Sequence, residues 1–170
     1  MNVVAQLFGF IALTFLMFSI QSNKKLTVLF LQVIANAFFG LQYIILKTFS
    51  AVLMNFVAIF RSIIYYMYEK KNKRAPKTVI LLLFLLIIVF SVTSFNGLIS
   101  LLPIAATMLY TYGTWQADMK TYRIVVIAGA IFWLIFNINV GAYVSVISSI
   151  LELISGIIAV CRYDLKKNIS

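Results

Sequence analysis

Long apolar runs separated by short polar breaks make up most of this 170-residue chain. A helix that crosses a bilayer needs about 20 apolar residues, with a range of roughly 17–25. The runs have close to this length, and the breaks are rich in charged and turn-forming residues. The pattern therefore predicts seven membrane-spanning helices. They are Asn2–Ile20, Leu26–Leu46, Ser50–Tyr68, Thr78–Ser94, Leu98–Trp115, Thr121–Phe136 and Ala142–Val160.

The composition supports a membrane protein rather than a soluble one. Hydrophobic residues make up 64% of the chain and charged residues 11%, with a mean hydropathy of +1.06. A soluble domain has about 45–50% apolar and about 25% charged residues. A transmembrane barrel would show alternating segments of about ten residues, which the long runs do not resemble. We therefore expect an all-α membrane protein.

The basic residues lie where the predicted spans end, and they give the chain a formal charge of +10. If seven spans alternate in direction, twelve lysines and arginines share one end of the bundle and only Lys47 lies at the other. The positive-inside rule then predicts a cytoplasmic basic end, with the N-terminus outside and the C-terminus in the cytoplasm. We expect these loops to contact anionic lipid headgroups rather than nucleic acid, because no basic stripe follows a soluble face. The twelve residues are Lys24, Lys25, Lys70, Lys71, Lys73, Arg74, Lys77, Lys120, Arg123, Arg162, Lys166 and Lys167.

Two parts of the chain resemble each other and indicate an internal repeat. Gln21 and Gln116 each precede a basic turn, and a gapless match of the third and seventh spans places Arg61 opposite Glu152. Three helices reverse the direction of the chain, so one additional helix between two copies keeps the copies parallel, a plan known among transporters. We therefore expect one transmembrane domain, residues 1–170, in a 3+1+3 arrangement. Its predicted parts are repeat 1 at 2–68, a linker helix at 78–94, repeat 2 at 97–161 and a cytoplasmic tail at 162–170.

A long first segment carries a resemblance to a known family. The stretch QSNKKLTVLFLQVIANAFFGLQYIILKTFSAVLMNFVAIFRS, residues 21–62, resembles the first repeat of the YgjV family of bacterial inner-membrane proteins. This resemblance implies a location in the bacterial cytoplasmic (inner) membrane, with several membrane passes. It implies no particular activity.

A more distant resemblance points to the SWEET, or PQ-loop, transporter superfamily. The 3+1+3 plan with an outside N-terminus is similar to the plan of that superfamily, and GAIFWLIFNINVG, residues 129–141, resembles its second-helix pattern, with Trp133 at the aromatic position. Asn55 resembles the third-helix asparagine that contacts sugar there. Ile20 and Gln21 stand where those repeats carry a Pro-Gln pair. The resemblance implies a SWEET-like fold and a small-solute transport activity.

Two opposite charges lie inside predicted spans, Arg61 in the third and Glu152 in the seventh. A charge in the bilayer is costly, and an intramembrane ionisable residue is therefore a functional candidate by default. Because the gapless match sets them at equal depth, we predict an ion pair between the two repeats. The alternative for Arg61 is that its long side chain extends to the membrane interface.

Other polar side chains within the spans predict a central cavity. We expect Asn36, Asn55, Trp133 and Glu152 to line it, because amides hydrogen-bond and rings stack on neutral polyhydroxylated or heterocyclic solutes. Hydrogen bonding between helices is the alternative for these groups. Pro103 is a candidate hinge, because it falls inside the fifth predicted span.

These patterns favour a small-solute transporter that works by alternating access between two repeats. The solute would be a sugar or another small neutral polar metabolite. The alternative is a non-transporting assembly partner or sensor in the inner membrane. An enzyme is not expected, because the chain has no histidine and one cysteine, Cys161, and shows no pair of carboxylates at one depth. No cofactor or metal is expected, and a homo-oligomer is left open.

Overall fold

The structure is a computed structural model that describes residues 2–22, 24–116 and 119–161. Within these ranges all the regular structure is helical. The seven α-helices begin and end within three residues of the predicted spans. They are α1 (Val3–Gln21), α2 (Lys25–Ile45), α3 (Phe49–Lys70), α4 (Lys77–Ser94), α5 (Leu101–Trp115), α6 (Met119–Asn139) and α7 (Tyr143–Val160). A short 3₁₀ turn, Leu98–Ser100, leads into α5.

Four of the described helices, α2, α3, α4 and α7, are long and apolar enough to cross a membrane. In α1 and α6 the apolar stretches are shorter, Val3–Ser19 and Arg123–Asn139. The fifth helix has 15 residues and gains length from the 3₁₀ turn before it. The structure thus shows an all-helical membrane protein, and the crossing of all seven helices stays a prediction.

Six helices form a closed ring of contacts. Following the ring, α1 packs on α2, α2 on α3, α3 on α5, α5 on α6, α6 on α7, and α7 returns to α1. The fourth helix lies outside this ring and packs against α3 and α5. The ring leaves space at its centre, and the fold therefore positions side chains of six helices around one axis.

Several helix boundaries in the two halves of the chain are 94 residues apart. This spacing separates α2 (Lys25–Ile45) from α6 (Met119–Asn139) at both ends. It also separates the first residues of α3 and α7, Phe49 and Tyr143. The ring contacts are consistent with the same spacing. If α1 is replaced by α5 and α7 by α3, the contact between α1 and α7 becomes the contact between α5 and α3, which is also present.

The turns α2–α3 and α6–α7 share one backbone conformation at the same spacing. The amide of Thr48 donates to the carbonyl of Tyr43 at 3.0 Å, and the amide of Ala142 donates to that of Asn137 at 3.0 Å. The residue before each donor has a positive φ, 56° in the first turn and 69° in the second. In the second turn this residue is Gly141, which adopts such a conformation without steric cost.

The spacing of 94 residues differs by three residues from the gapless sequence match of the third and seventh helices. At this spacing Glu152 is matched with Ala58, one turn before Arg61, and Asn55 is matched with Ser149. A helix turn holds 3.6 residues. A shift of three therefore keeps nearly the same helix face, and for this reason the hydrophobic pattern could not reveal it.

Two contacts show that several polar loops lie together at one end, here called the basic end. Lys25 at the start of α2 pairs with Glu69 at the end of α3 at 2.9 Å. Arg74, in the α3–α4 turn, donates to the carbonyl of Trp115 at the end of α5 at 3.1 Å. The α2–α3 and α6–α7 turns lie at the opposite end of the bundle, because α2 and α6 run away from the basic end.

Large apolar side chains cover the outside of the bundle. On α4 the exposed ones recur around most of the helix, and only four residues of this helix are buried. Soluble monomers rarely expose a continuous apolar surface of this size. The outer surface is therefore suited to lipid. The exposed large apolar residues of α4 are Leu81, Leu82, Leu85, Ile88, Val89 and Val92.

Candidate functional site

A cavity of about 110 Å³ lies at the centre of the ring. All four residues predicted to line a cavity do so, and Arg61 joins them on its wall. The predicted residues are Asn36 from α2, Asn55 from α3, Trp133 from α6 and Glu152 from α7. Pockets for drug-sized ligands measure roughly 300–1,000 Å³. In this conformation the cavity therefore suits a small solute or a few water molecules.

The amide of Asn55 is held in place by its own helix. Its Nδ2 donates to the carbonyl oxygen of Ala51 at 2.8 Å, and the residue is buried. Asn36 makes the same kind of bond to the carbonyl of Gln32 at 2.7 Å. Such a bond fixes the direction of a short polar side chain within a helix. Both asparagines are therefore presented to the cavity in a defined orientation.

The Glu152 carboxylate accepts a hydrogen bond from the Tyr110 hydroxyl at 2.7 Å. Gly129 in α6 makes room for this tyrosine, because a Cβ at that position would lie 3.0 Å from the Tyr110 ring. Tyr110 is thus a cavity residue that sequence reasoning did not select, although it is a polar residue within the fifth predicted span.

The predicted ion pair between Arg61 and Glu152 stays a prediction. Both side chains line the same cavity, and the Glu152 carboxyl group accepts the hydrogen bond from Tyr110. Arg61 is only 6% exposed, so it faces the bundle interior rather than lipid.

A network of buried polar side chains closes the cavity towards the α2–α3 and α6–α7 turns. The Tyr43 hydroxyl donates to Asn137 Oδ1 at 2.6 Å, and Asn137 Nδ2 donates to Ser149 Oγ at 3.3 Å. Nearby, the Ser145 hydroxyl donates to Gln42 Oε1 at 2.6 Å. The structure buries all five, and the bonds join α2, α6 and α7.

The ring of Trp133 stacks on Tyr43 and so belongs to the same end of the cavity. Their centroids are 5.7 Å apart with an angle of 20° between the planes. Phe136 meets Trp133 edge-on at 5.8 Å. Offset and edge-on arrangements of this kind add about 0.5–1.5 kcal/mol to the burial of the rings. Trp133 is therefore a rigid wall.

Pro103, the candidate hinge, lies in the first turn of α5 and is buried. Proline is tolerated there because the amides of the first turn have no partner within the helix. The change from 3₁₀ to α geometry at Ser100 and Leu101 comes directly before it. Use of this junction as a hinge stays a prediction. In the described ranges, no group of three His, Cys, Asp or Glu side chains could hold a metal ion.

Comparison with known protein families decides the relationship of the chain. The family model of the Imp-YgjV bacterial inner membrane proteins matches residues 3–167. The chain belongs to this family. Its Imp-YgjV membership confirms the expectation drawn from residues 21–62 and places the protein in the bacterial inner membrane. No curated protein and no solved structure matches the chain at a significant level.

Proposed function

We propose that this Imp-YgjV protein transports a small polar solute across the inner membrane and carries out no chemical conversion. The observation that carries the proposal is the central cavity, whose wall holds four side-chain amides, a carboxylate and a guanidinium between six helices. Polar and ionisable groups are costly within a bilayer and mark solute pathways when they face the bundle interior. Sites of secondary transporters lie near the membrane midplane between repeats.

Alternating access between two three-helix repeats is the proposed mechanism. Its support is the constant spacing of 94 residues between α2 and α6, together with the ring contacts that map onto one another when the halves are exchanged. The cavity wall follows this spacing as well, because Leu16 and Tyr110, and Asn55 and Ser149, all line it. Two packed repeats that rock about a shared site could expose it to either side in turn. In this plan α4 is the linker.

The proposed solute is a sugar or another small neutral polar metabolite. Amides offer both donors and acceptors to hydroxyl groups, and the Trp133 ring offers an apolar face. The cavity volume of about 110 Å³ favours a small solute in the closed form. The buried network around Tyr43 and Asn137 would have to separate for release at that end, and it is proposed as the gate there.

The basic end is proposed to face the cytoplasm. The α3–α4 turn and the start of α2 place several lysines there, whereas the described residues at the opposite end include only Lys47. Lysine and arginine in short loops are retained on the cytoplasmic side. The N-terminus would then lie outside and the C-terminus inside. Anionic lipid headgroups are the partners proposed for these loops.

Solute flux in liposomes tests the transport proposal. Purified protein would be reconstituted, and uptake measured for radiolabelled sugars, nucleosides and small vitamins. For a transported solute, Asn55→Ala is expected to lower uptake by about fivefold, because one hydrogen bond of about 1 kcal/mol is lost. Asn139→Ala is the matched control. Its amide makes the same local bond at 2.8 Å, to Ile135, but it is exposed and does not line the cavity.

Two results would contradict the proposal. One is no uptake of any solute class by protein that remains folded in the liposomes. The other is an equal loss of uptake in Asn55→Ala and Asn139→Ala, because the cavity would then not be the pathway. The first result together with a copurifying partner would favour a non-transporting assembly partner or sensor.

A further inference from the structure

A second and larger cavity lies at the basic end, with a volume of about 390 Å³. It shares no lining residue with the central cavity. The start of α2, the end of α3, the α3–α4 turn and the end of α5 form its walls, so it opens where the helices leave the hydrocarbon region. This volume falls within the roughly 300–1,000 Å³ of pockets that hold organic ligands.

Among the described residues, the charge on the wall of this cavity is positive. Three cations, Lys25, Lys73 and Arg74, face one acid, Glu69. The acid pairs with Lys25 at 2.9 Å, but the two side chains are 34% and 59% exposed. Exposed pairs of this kind contribute about 0–1 kcal/mol, so a stronger anion can displace the carboxylate. Arg74 and Lys73 supply the remaining positive charge.

The side chain of Arg74 is exposed but makes two contacts with Trp115. Its guanidinium carbon lies 4.2 Å from the centroid of the Trp115 ring, and its Nη2 donates to the Trp115 carbonyl at 3.1 Å. The Trp115 indole in turn donates to the carbonyl of Ala75 at 2.9 Å. These bonds fasten the α3–α4 turn onto α5. Part of the conformational entropy that the Arg74 side chain would lose on binding a ligand is therefore already lost in the unbound protein.

The backbone holds the turn itself in a fixed shape. The amide of Asn72 donates to the carbonyl of Glu69 at 2.9 Å, and the amide of Lys73 donates to that of Tyr68 at 3.0 Å. Asn72 has a φ of 50°, a conformation that asparagine tolerates better than most residues. Lys73 and Arg74 thus leave a preorganised turn side by side.

We propose that this cavity binds a phosphate group, with Lys73 and Arg74 as its donors. A planar guanidinium and an adjacent ammonium suit the oxygens of a phosphate. Basic pockets between transmembrane helices on the cytoplasmic side are suited to anionic headgroups. Tyr68 and Trp115 line the same cavity, and such rings are enriched at headgroup depth. The phosphate can come from an anionic phospholipid or from a soluble ion, and the experiment separates these sources.

The test measures binding to the purified full-length protein in a neutral detergent. Phosphatidylglycerol, phosphatidylcholine with the same acyl chains, and inorganic phosphate are titrated, and apparent affinities are read by native mass spectrometry and by the shift in melting temperature. Lys73→Gln is expected to weaken phosphatidylglycerol binding by about fivefold, the factor for roughly 1 kcal/mol per lysine at a membrane surface. Lys71→Gln is the matched control, since this exposed lysine is in the same turn and does not line the cavity.

The two lysine variants and the two lipids together separate a specific site from general attraction. Weaker phosphatidylglycerol binding in Lys73→Gln but not in Lys71→Gln, with no such change for phosphatidylcholine, supports the site with a lipid source. The same pattern for inorganic phosphate supports the site with a soluble source. Equal losses in the two variants, or equal binding of both lipids, overturn the proposal, because only general electrostatic attraction would then remain. Melting temperatures without ligand verify that both variants fold.

Discussion

Replacement of Gly9 by alanine should disturb the polar network at one end of the cavity. A Cβ at this position of α1 would lie 2.7 Å from Nε2 and 2.8 Å from Oε1 of Gln42. Gln42 has no solvent exposure, and its Oε1 accepts the hydrogen bond from Ser145 at 2.6 Å. The glutamine therefore cannot move without losing that bond. Gly9 is needed because α1 and α2 approach each other closely at a polar side chain.

Several terms determine the size of the effect. Overpacking in a well-packed interior costs about 1–3 kcal/mol. Loss of the Ser145–Gln42 bond costs roughly another 1 kcal/mol. The alanine returns about 0.5–1 kcal/mol, because glycine is unfavourable within a helix. We expect a net destabilisation of about 1–3 kcal/mol for Gly9→Ala.

Gly40→Ala is the matched control for this prediction. It lies in α2, and an added Cβ would meet only the Asn55 Cβ at 3.8 Å, an ordinary van der Waals contact. This variant should be neutral or stabilised by up to about 1 kcal/mol. Unfolding free energies of both variants would be measured in mixed micelles with increasing sodium dodecyl sulfate. A Gly9→Ala protein that is as stable as Gly40→Ala would refute the reasoning, as would an unchanged cost of Gly9→Ala when Gln42 is also alanine.

Three further predictions concern the cavity and the orientation. Tyr43→Phe should cost about 1–3 kcal/mol in the same unfolding assay, because it leaves a buried amide oxygen without its donor; no change would exclude the network as a stabilising element. Tyr110→Phe should cost about 1–3 kcal/mol, and less when Glu152 is alanine, because the hydrogen-bond acceptor is then absent. An equal cost in both backgrounds would show that the pair is uncoupled. Single cysteines at Lys71 and Asn96, each in a chain without Cys161, test the orientation by labelling of intact spheroplasts with an impermeant maleimide. Asn96→Cys should be labelled from outside and Lys71→Cys should not. The reverse labelling would invert the proposed orientation.

Much of the fold could be predicted from the sequence because membrane helices are specified locally. The length of each apolar run fixed the helices to within three residues, since a bilayer demands internally satisfied backbone over a set thickness. The candidate cavity residues followed for a related reason. A buried amide such as Asn55 or an acid such as Glu152 must face the bundle interior in lipid.

The register between the two halves could not be read in the same way. Residues three apart lie on nearly one helix face, so alignments with Arg61 opposite Glu152 or opposite Ser155 fit the pattern equally well. In the structure the start of α7 lies 94 residues after the start of α3, and the hydrogen bonds of the two turns recur at the same spacing. The ion pair between Arg61 and Glu152 stays a prediction.

The sequence by itself determined that this protein is helical, lies in a membrane and turns polar groups inward, because these properties depend on local hydrophobicity and on the cost of exposing polar atoms to lipid. Only the tertiary structure decided which polar groups meet. Tyr110 reaches Glu152 because Gly129 leaves space for its ring, and Gln42 meets Ser145 because Gly9 lets α1 approach. Such pairings depend on distances between helices far apart in the chain, and short-range patterns carry no information about those distances.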